Sequence, residues 1–278
     1  MRLTQGDSGD AVKGLQRGLN KLGSLLMVDG KFGPGTTDAI SVACPALGLA
    51  PRVDADDELA TALANAPELS RELGTPGATF IARAEISNAK DYRLRYCHPT
   101  WPSATSGITI GIGYDLQFVS ADALRTDWGT RLADDVCTRL VTACGSVGSD
   151  ALVGNLRDIE VPLFAAMAVF TTNTLPHTIQ QTASIYPQVM DLSFERRTAL
   201  VSLVYNRGTS LVDRDPVLQN RREMRAIRDL LAAGNADAVA DQLDSMARLW
   251  DPGLPGLVKR RHDEATLWRS GFIALALD

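Results

Sequence analysis

Among the 33 acidic side chains of this sequence, Glu85 and Asp115 stand where acid–base chemistry could be done. Glu85 falls near the end of an amphipathic segment, Pro76 to about Ser87, in which Phe80, Ile81 and Ala84 form an apolar stripe. A carboxylate at a helix C-terminus opposes the helix dipole, and apolar neighbours penalise its charge. Both effects favour the neutral carboxyl that a proton donor needs. Thr109 lies 24 residues on, within Gly107-Ile108-Thr109-Ile110-Gly111-Ile112-Gly113-Tyr114-Asp115. Alternation of Ile108, Ile110 and Ile112 predicts a strand with one apolar face, so Thr109, Gly111, Gly113 and Asp115 share the other. Glycines at 111 and 113 would leave the backbone bare, where a polymer such as a sugar chain could approach closely. Fully extended, Thr109 and Asp115 would stand about 20 Å apart, at about 3.3 Å per residue. For both to serve one centre the chain must turn near Gly113, as glycine allows. Asp91 is the second candidate for the partner carboxylate.

Other chemistries find less support. Three histidines are widely separated, no H-E-x-x-H or C-x-x-C occurs, and Cys97-His98 are too close in sequence to share one ion well. Neither metal nor cofactor is implied. Gly6-Asp7-Ser8-Gly9 has the look of a nucleophile loop, but no histidine precedes His98 and a helical pattern begins at once. Ser8 is therefore read as a helix N-cap. Twenty-eight basic against 33 acidic residues give a net charge of −5, without the basic excess of a dedicated nucleic-acid binder. An apolar content of 45% is too high for a disordered chain. The longest apolar run, Val161 to Phe170, is ten residues and contains Pro162, whereas a membrane span needs about 20. Four cysteines are too sparse for a disulfide scaffold.

The elements that must hold these residues divide the 278-residue chain in two, at roughly 150 residues per domain. After Ser8, apolar residues at Val12, Leu15, Leu19 and Leu22 trace one face of a helix closed by Gly23. A turn at Asp29-Gly30 leads to Thr36-Thr37-Asp38, cap residues for a second helix carrying Ala39, Ile40, Ala43 and Leu47. A third helix is expected over Asp56 to Ala64, with acids at its N-terminus. Three such helices make a small bundle. The string G-D-S-G-D-A-V-K-G-L-Q-R-G-L-N-K-L-G, then V-D-G-K-F-G-P-G-T-T-D-A-I, resembles the peptidoglycan-binding domain of bacterial cell-wall hydrolases. Singly, Gly9, Val12, Leu15, Gln16, Leu19, Leu22 and Gly23 are ordinary helix-core and turn residues. With Asp29-Gly30, Phe32-Gly33 and Thr36 their order carries the resemblance, which implies peptidoglycan as the partner. The joint lies in PELSRELGTPG, residues 67–77, where Thr75 is expected to cap a helix with Pro76 in first position.

A helix ending in glutamate, followed by T-I-G-I-G, resembles phage lysozymes of the T4 type (glycoside hydrolase family 24). Their usual Asp or Cys nine residues after the Glu is absent: Leu94 stands there. The spacing instead resembles pesticin, a bacteriocin with a lysozyme-like domain, in which the aspartate follows the threonine. Phe194 to Gly208 resembles the D-A-L-V-S-F-x-F-N-x-G helix of these enzymes, and Gly256 to Arg261 with Glu264 their G-L-x-x-R-R segment. Arg260 and Arg261 are read as exposed helix arginines, with pairing of one of them to Glu85 or to a substrate carboxylate as the alternative, and Trp101 as either a sugar platform or core or loop packing. The resemblance implies a mainly α, lysozyme-like α+β fold, with a three-helix peptidoglycan-binding bundle (residues 1–67) joined to a catalytic domain with a small β-sheet (residues 77–272). It implies a monomeric endolysin that hydrolyses the β-1,4 bond between N-acetylmuramic acid and N-acetylglucosamine. Glu85 would be the acid, Asp115 the carboxylate and Thr109 the positioner of water, with Gly111, Gly113 and Asn206 at the substrate. With no secretory signal after MRLTQGDSGD, such an endolysin is expected to be made in a host cytoplasm and to act on the wall after release. A lytic transglycosylase, a pesticin-like bacteriocin and a wall binder with weak or no catalysis are the alternatives.

Overall fold

The computed structural model describes residues 2–102 and 105–272. The chain is mainly helical, with one two-stranded antiparallel sheet among the described residues. It forms two compact units: Met1–Leu69 with Ala82–Leu175, and Ser70–Ile81 with Pro176–Asp278.

The first unit begins with helices α1 (Asp10–Asn20), α2 (Pro34–Ala46) and α3 (Asp57–Asn65). Val12 and Leu19 of α1, Ile40 and Ala43 of α2, and Leu59 and Leu63 of α3 meet in one buried cluster, as their 3.6-residue periodicity requires. The caps differ from expectation. Gly9, not Ser8, is the N-cap of α1, and Ser8 forms a β-bridge with Lys31. Helix α2 starts at Pro34, so Thr36, Thr37 and Asp38 lie inside its first turns; proline's fixed φ suits the first helical position. Asp56 does cap α3, its carboxylate accepting from the Leu59 N–H at 3.0 Å. Gln16 is buried and ties the turn before α2, donating to Asp29 Oδ1 at 2.8 Å and accepting from the Gly30 N–H at 2.9 Å. Burial pushes the Asp29 carboxyl up, but the hydrogen bonds from Gln16 and Lys31 outweigh it and hold it below the usual carboxylate range.

Helix α4 (Gly74–Ile86) passes from one unit to the other. It begins a residue before the expected Thr75 cap, and Thr75 is buried within it. Ile81 is buried but Ala84 is exposed, so the apolar stripe stops a turn short of Glu85. Ser87, at φ 60°, closes the helix with its N–H bonded to the Arg83 carbonyl at 2.8 Å, a left-handed termination. Asn88 then caps α5 (Ala89–Arg95). Strands β1 (Thr109–Ile110) and β2 (Tyr114–Asp115) follow, then α6 (Ala121–Trp128), α7 (Asp134–Val141), α8 (Asp150–Gly154) and α9 (Leu163–Val169). The apolar run from Val161 is this last buried helix, and no helix among the described residues is long and apolar enough to cross a membrane. Within the unit, Arg83 donates to the Leu25 carbonyl at 2.6 Å, and Gly23 sits against Met167. All four cysteines are free thiols.

The second unit is built from α10 (Leu175–Ile185), α11 (Phe194–Arg207), α12 (Arg222–Ala232), α13 (Val239–Met246) and α14 (Pro255–Ser270). Leu200, Leu203, Ile227, Leu243 and Leu267 share its core, and Gly208 at φ 69° stops α11 as its sequence predicts. Arg260 and Arg261 correct the expectation of solvated side chains: both are buried. Glu264 Oε1 accepts from Ser202 Oγ at 2.6 Å and from Arg261 at 2.7 Å, and Arg260 Nε donates to Ser202 Oγ at 3.2 Å. Helix α14 packs on both α11 and α13, so little of its surface is left for water and its charges are buried as a cluster. Burial pushes the Glu264 carboxyl up, against the pull of Arg261 and Arg260.

Candidate functional site

The turn demanded by the sequence exists. Strands β1 and β2 pair antiparallel with Thr109 directly opposite Asp115 and Ile110 opposite Tyr114. Gly111 (φ 59°) and Gly113 (φ 68°) supply the left-handed backbone of the reversal. Directly opposed residues project to the same face, so Thr109 and Asp115 are neighbours. Ile108, Ile110 and Ile112 are buried as the alternation predicts. Thr100 bridges to Thr109 on the other side, each N–H donating to the other's carbonyl at 2.9 and 2.8 Å.

Asp115 is held firmly. Its Oδ1 accepts from the Gln117 N–H at 2.9 Å and its Oδ2 from the Gly107 N–H at 3.3 Å. A Cβ at Gly107 would fall 2.3 Å from Asp115 Oδ1, so glycine is required there. A carboxylate has about four lone-pair sites, which leaves room for a water or a substrate hydroxyl. Half-buried Thr109 offers a hydroxyl that bonds to no described group. The hairpin is braced from behind: Tyr114 stacks edge-on against Trp128 at 5.5 Å and donates to Asp127 at 2.6 Å. Burial, then Asp127, pushes the Tyr114 phenol far above its usual range, so it stays protonated and keeps its bond to Asp127.

The remaining predicted residues are placed as follows. Glu85 is half-buried, in the last turn of α4. Asp91 lies in the first turn of α5, where its carboxylate accepts from the capping Asn88 amide at 2.8 Å, a helix-end role. Gly111 is not bare backbone: a Cβ there would meet Trp128 at 2.9 Å and Ala166 at 3.2 Å, so close packing explains the glycine. Gly113 is exposed. Asn206, near the end of α11, belongs to the second unit, and its buried Oδ1 has no partner among the described residues. Trp101 packs against Gly148 and donates to the Ser106 carbonyl at 3.2 Å, the loop-packing alternative.

The first unit also holds a groove that sequence reasoning missed. Helices α1 and α3 touch at Gly18, where a Cβ would fall 2.9 Å from that of Leu63; one turn earlier, at Gly14, a Cβ would meet nothing within 4 Å. Between them lies a cavity of about 400 Å³ with Leu15, Arg17, Ala60 and Leu63 in its walls, within the roughly 300–1,000 Å³ of small-ligand sites. The signal was small residues at helical spacing, Gly14 with Gly18 and Ala60 with Ala64.

Residues 8–43 match a family model described as "Putative peptidoglycan binding domain". No curated protein matches the chain. The match covers α1 and most of α2 and supports a peptidoglycan-binding module, with peptidoglycan as partner and the cell wall as the place of action.

Proposed function

We propose that the protein is a wall-degrading muramidase that holds peptidoglycan with its N-terminal bundle and hydrolyses the β-1,4 bond between N-acetylmuramic acid and N-acetylglucosamine. The observation that carries the catalytic half is the hairpin, which sets a firmly held carboxylate opposite an unbonded hydroxyl. Glycoside hydrolysis needs a proton on the leaving oxygen and a second carboxylate that activates water or stabilises the oxocarbenium-like state. Glu85 donates that proton. Asp115 accepts from the attacking water, which the Thr109 hydroxyl orients. With water between the carboxylates the reaction inverts the anomeric centre, which calls for a separation of about 6.5–9.5 Å. Gly113 lets the polymer pass close to the hairpin.

The test is Glu85→Gln in the full chain. The variant should still sediment with purified sacculi while its clearing rate falls roughly 10²–10⁴-fold, as general-acid loss does. Undiminished clearing by a folded variant would end the assignment. A second reading, wall binding without cleavage, draws on one observation: both oxygens of Asp115 already hold backbone amides, a structural occupation in itself.

A further inference from the structure

The groove between α1 and α3 has a chemistry of its own, and from it we infer that the N-terminal module grips the peptide stems of peptidoglycan and not its glycan strand. This rests on the assignment of the bundle as a peptidoglycan-binding module. Sugar rings are held by aromatic faces and by neutral amides that satisfy their hydroxyls; among the described residues no aromatic ring and no side-chain amide lines this groove. Apart from four charged side chains its lining is glycine, alanine and leucine, a surface that fits methyl side chains. Stem peptides are short and alanine-rich.

Charge points the same way. The α1 wall brings Arg17 and Lys21, and the α3 side brings Asp56 and Asp57. Lys21 is engaged with Glu68 at 3.3 Å, and Asp56 caps α3. Arg17 is exposed and has no ion-pair partner among the described residues. A guanidinium so placed can take a carboxylate through two parallel hydrogen bonds. Stem peptides carry carboxylates and, where the third residue is a diamino acid, an ammonium. Asp56 is also paired with Arg52, so the open charge is Arg17, which complements the stem carboxylates, whereas the N-acetyl sugars between stems offer none. Arg17 takes a stem carboxylate, and Ala60 and Leu15 flank the alanine methyls.

Gly14 supplies a clean probe. It is helical and opens onto the cavity, so Gly14→Leu fills the groove while raising helix propensity. Full-length protein, Gly14→Leu and Arg17→Glu are each sedimented with intact sacculi and with glycan strands stripped of peptide by an amidase, their freed lactyl carboxylates then converted to methylamides. The free tetrapeptide L-Ala-γ-D-Glu-diaminopimelate-D-Ala and chitotetraose serve as competitors. The expected result is retention on sacculi, loss on stripped strands, and competition by the tetrapeptide alone. Both variants should bind sacculi at least about tenfold more weakly, with Gly14→Leu melting no lower than the parent. Retention on stripped strands, competition by chitotetraose alone, or undiminished binding by both variants would overturn the stem assignment while leaving the module a peptidoglycan binder. Failure of the parent to sediment with sacculi would overturn the module's assignment itself.

Discussion

Replacing Asp115 by asparagine separates the structural from the chemical duty of this side chain. Its two oxygens accept N–H groups from Gln117 at 2.9 Å and Gly107 at 3.3 Å. Asparagine keeps one acceptor and turns an amide toward the other donor, so the longer bond is sacrificed. At a half-buried site that loss is about 1 kcal/mol, which lowers a melting transition by about 2–4 °C. A fold worth about 5–15 kcal/mol tolerates it. The chemical loss is larger: removing the carboxylate that activates water slows turnover roughly 10²–10⁴-fold, or about 2.7–5.4 kcal/mol of barrier. Thr109→Ala is the companion, since its hydroxyl bonds to no described group. Its stability should stay within about 0.5 kcal/mol of the parent, while its activity falls between parent and Asp115→Asn. The assay is turbidity loss of purified sacculi at 25 °C, with thermal melts by circular dichroism. Near-parental clearing by Asp115→Asn would refute the reasoning, and inactivity of Asp91→Asn beside it would move the second carboxylate to α5.

Glu264→Ala should destabilise the second unit by about 3–5 kcal/mol, because it removes the buried carboxylate that accepts from Arg261 and pairs with Arg260; melting of the variant checks this. Gly111→Ala should melt well below the parent: it adds left-handed strain of roughly 1–3 kcal/mol and drives a Cβ to 2.9 Å from Trp128; thermal melts check it. Asp158→Asn should be less stable than the parent at neutral pH and indistinguishable near pH 1.5. Hydrogen bonds from Arg139 lower the Asp158 carboxyl to about 2, so the stabilisation is present above its unfolded value of about 3.8 and vanishes as pH falls through about 2; melts across that range decide it.

What the sequence made legible was periodicity and punctuation. The isoleucine alternation, the glycine reversal and the helix faces of α1, α2 and α11 all follow from spacing, because a strand and a helix bury side chains on fixed repeats. Three features escaped for physical reasons. Charged residues on a helix read as a solvated face, and only the packing of α14 against two partners makes Arg261 and Glu264 interior. A glycine can mean bare backbone or close packing, and Gly111 is the second because Trp128, 17 residues on, occupies the space. The α1–α3 groove arises where Gly14 withholds a side chain, an absence that no apolar pattern marks. Caps slipped by a residue or two at Ser8 and Thr36, since proline and glycine started both helices without a side-chain bond.

The central claim is that the chain both binds and cleaves peptidoglycan, and the ends it leaves on the polymer test this most directly. Purified sacculi are digested with the full-length protein, and the soluble fragments are read by mass spectrometry before and after borohydride reduction. Hydrolysis by water held between Glu85 and Asp115 predicts muropeptides ending in reducible N-acetylmuramic acid. Ends carrying 1,6-anhydro-N-acetylmuramic acid would contradict it, as would sacculi that bind the protein and release nothing.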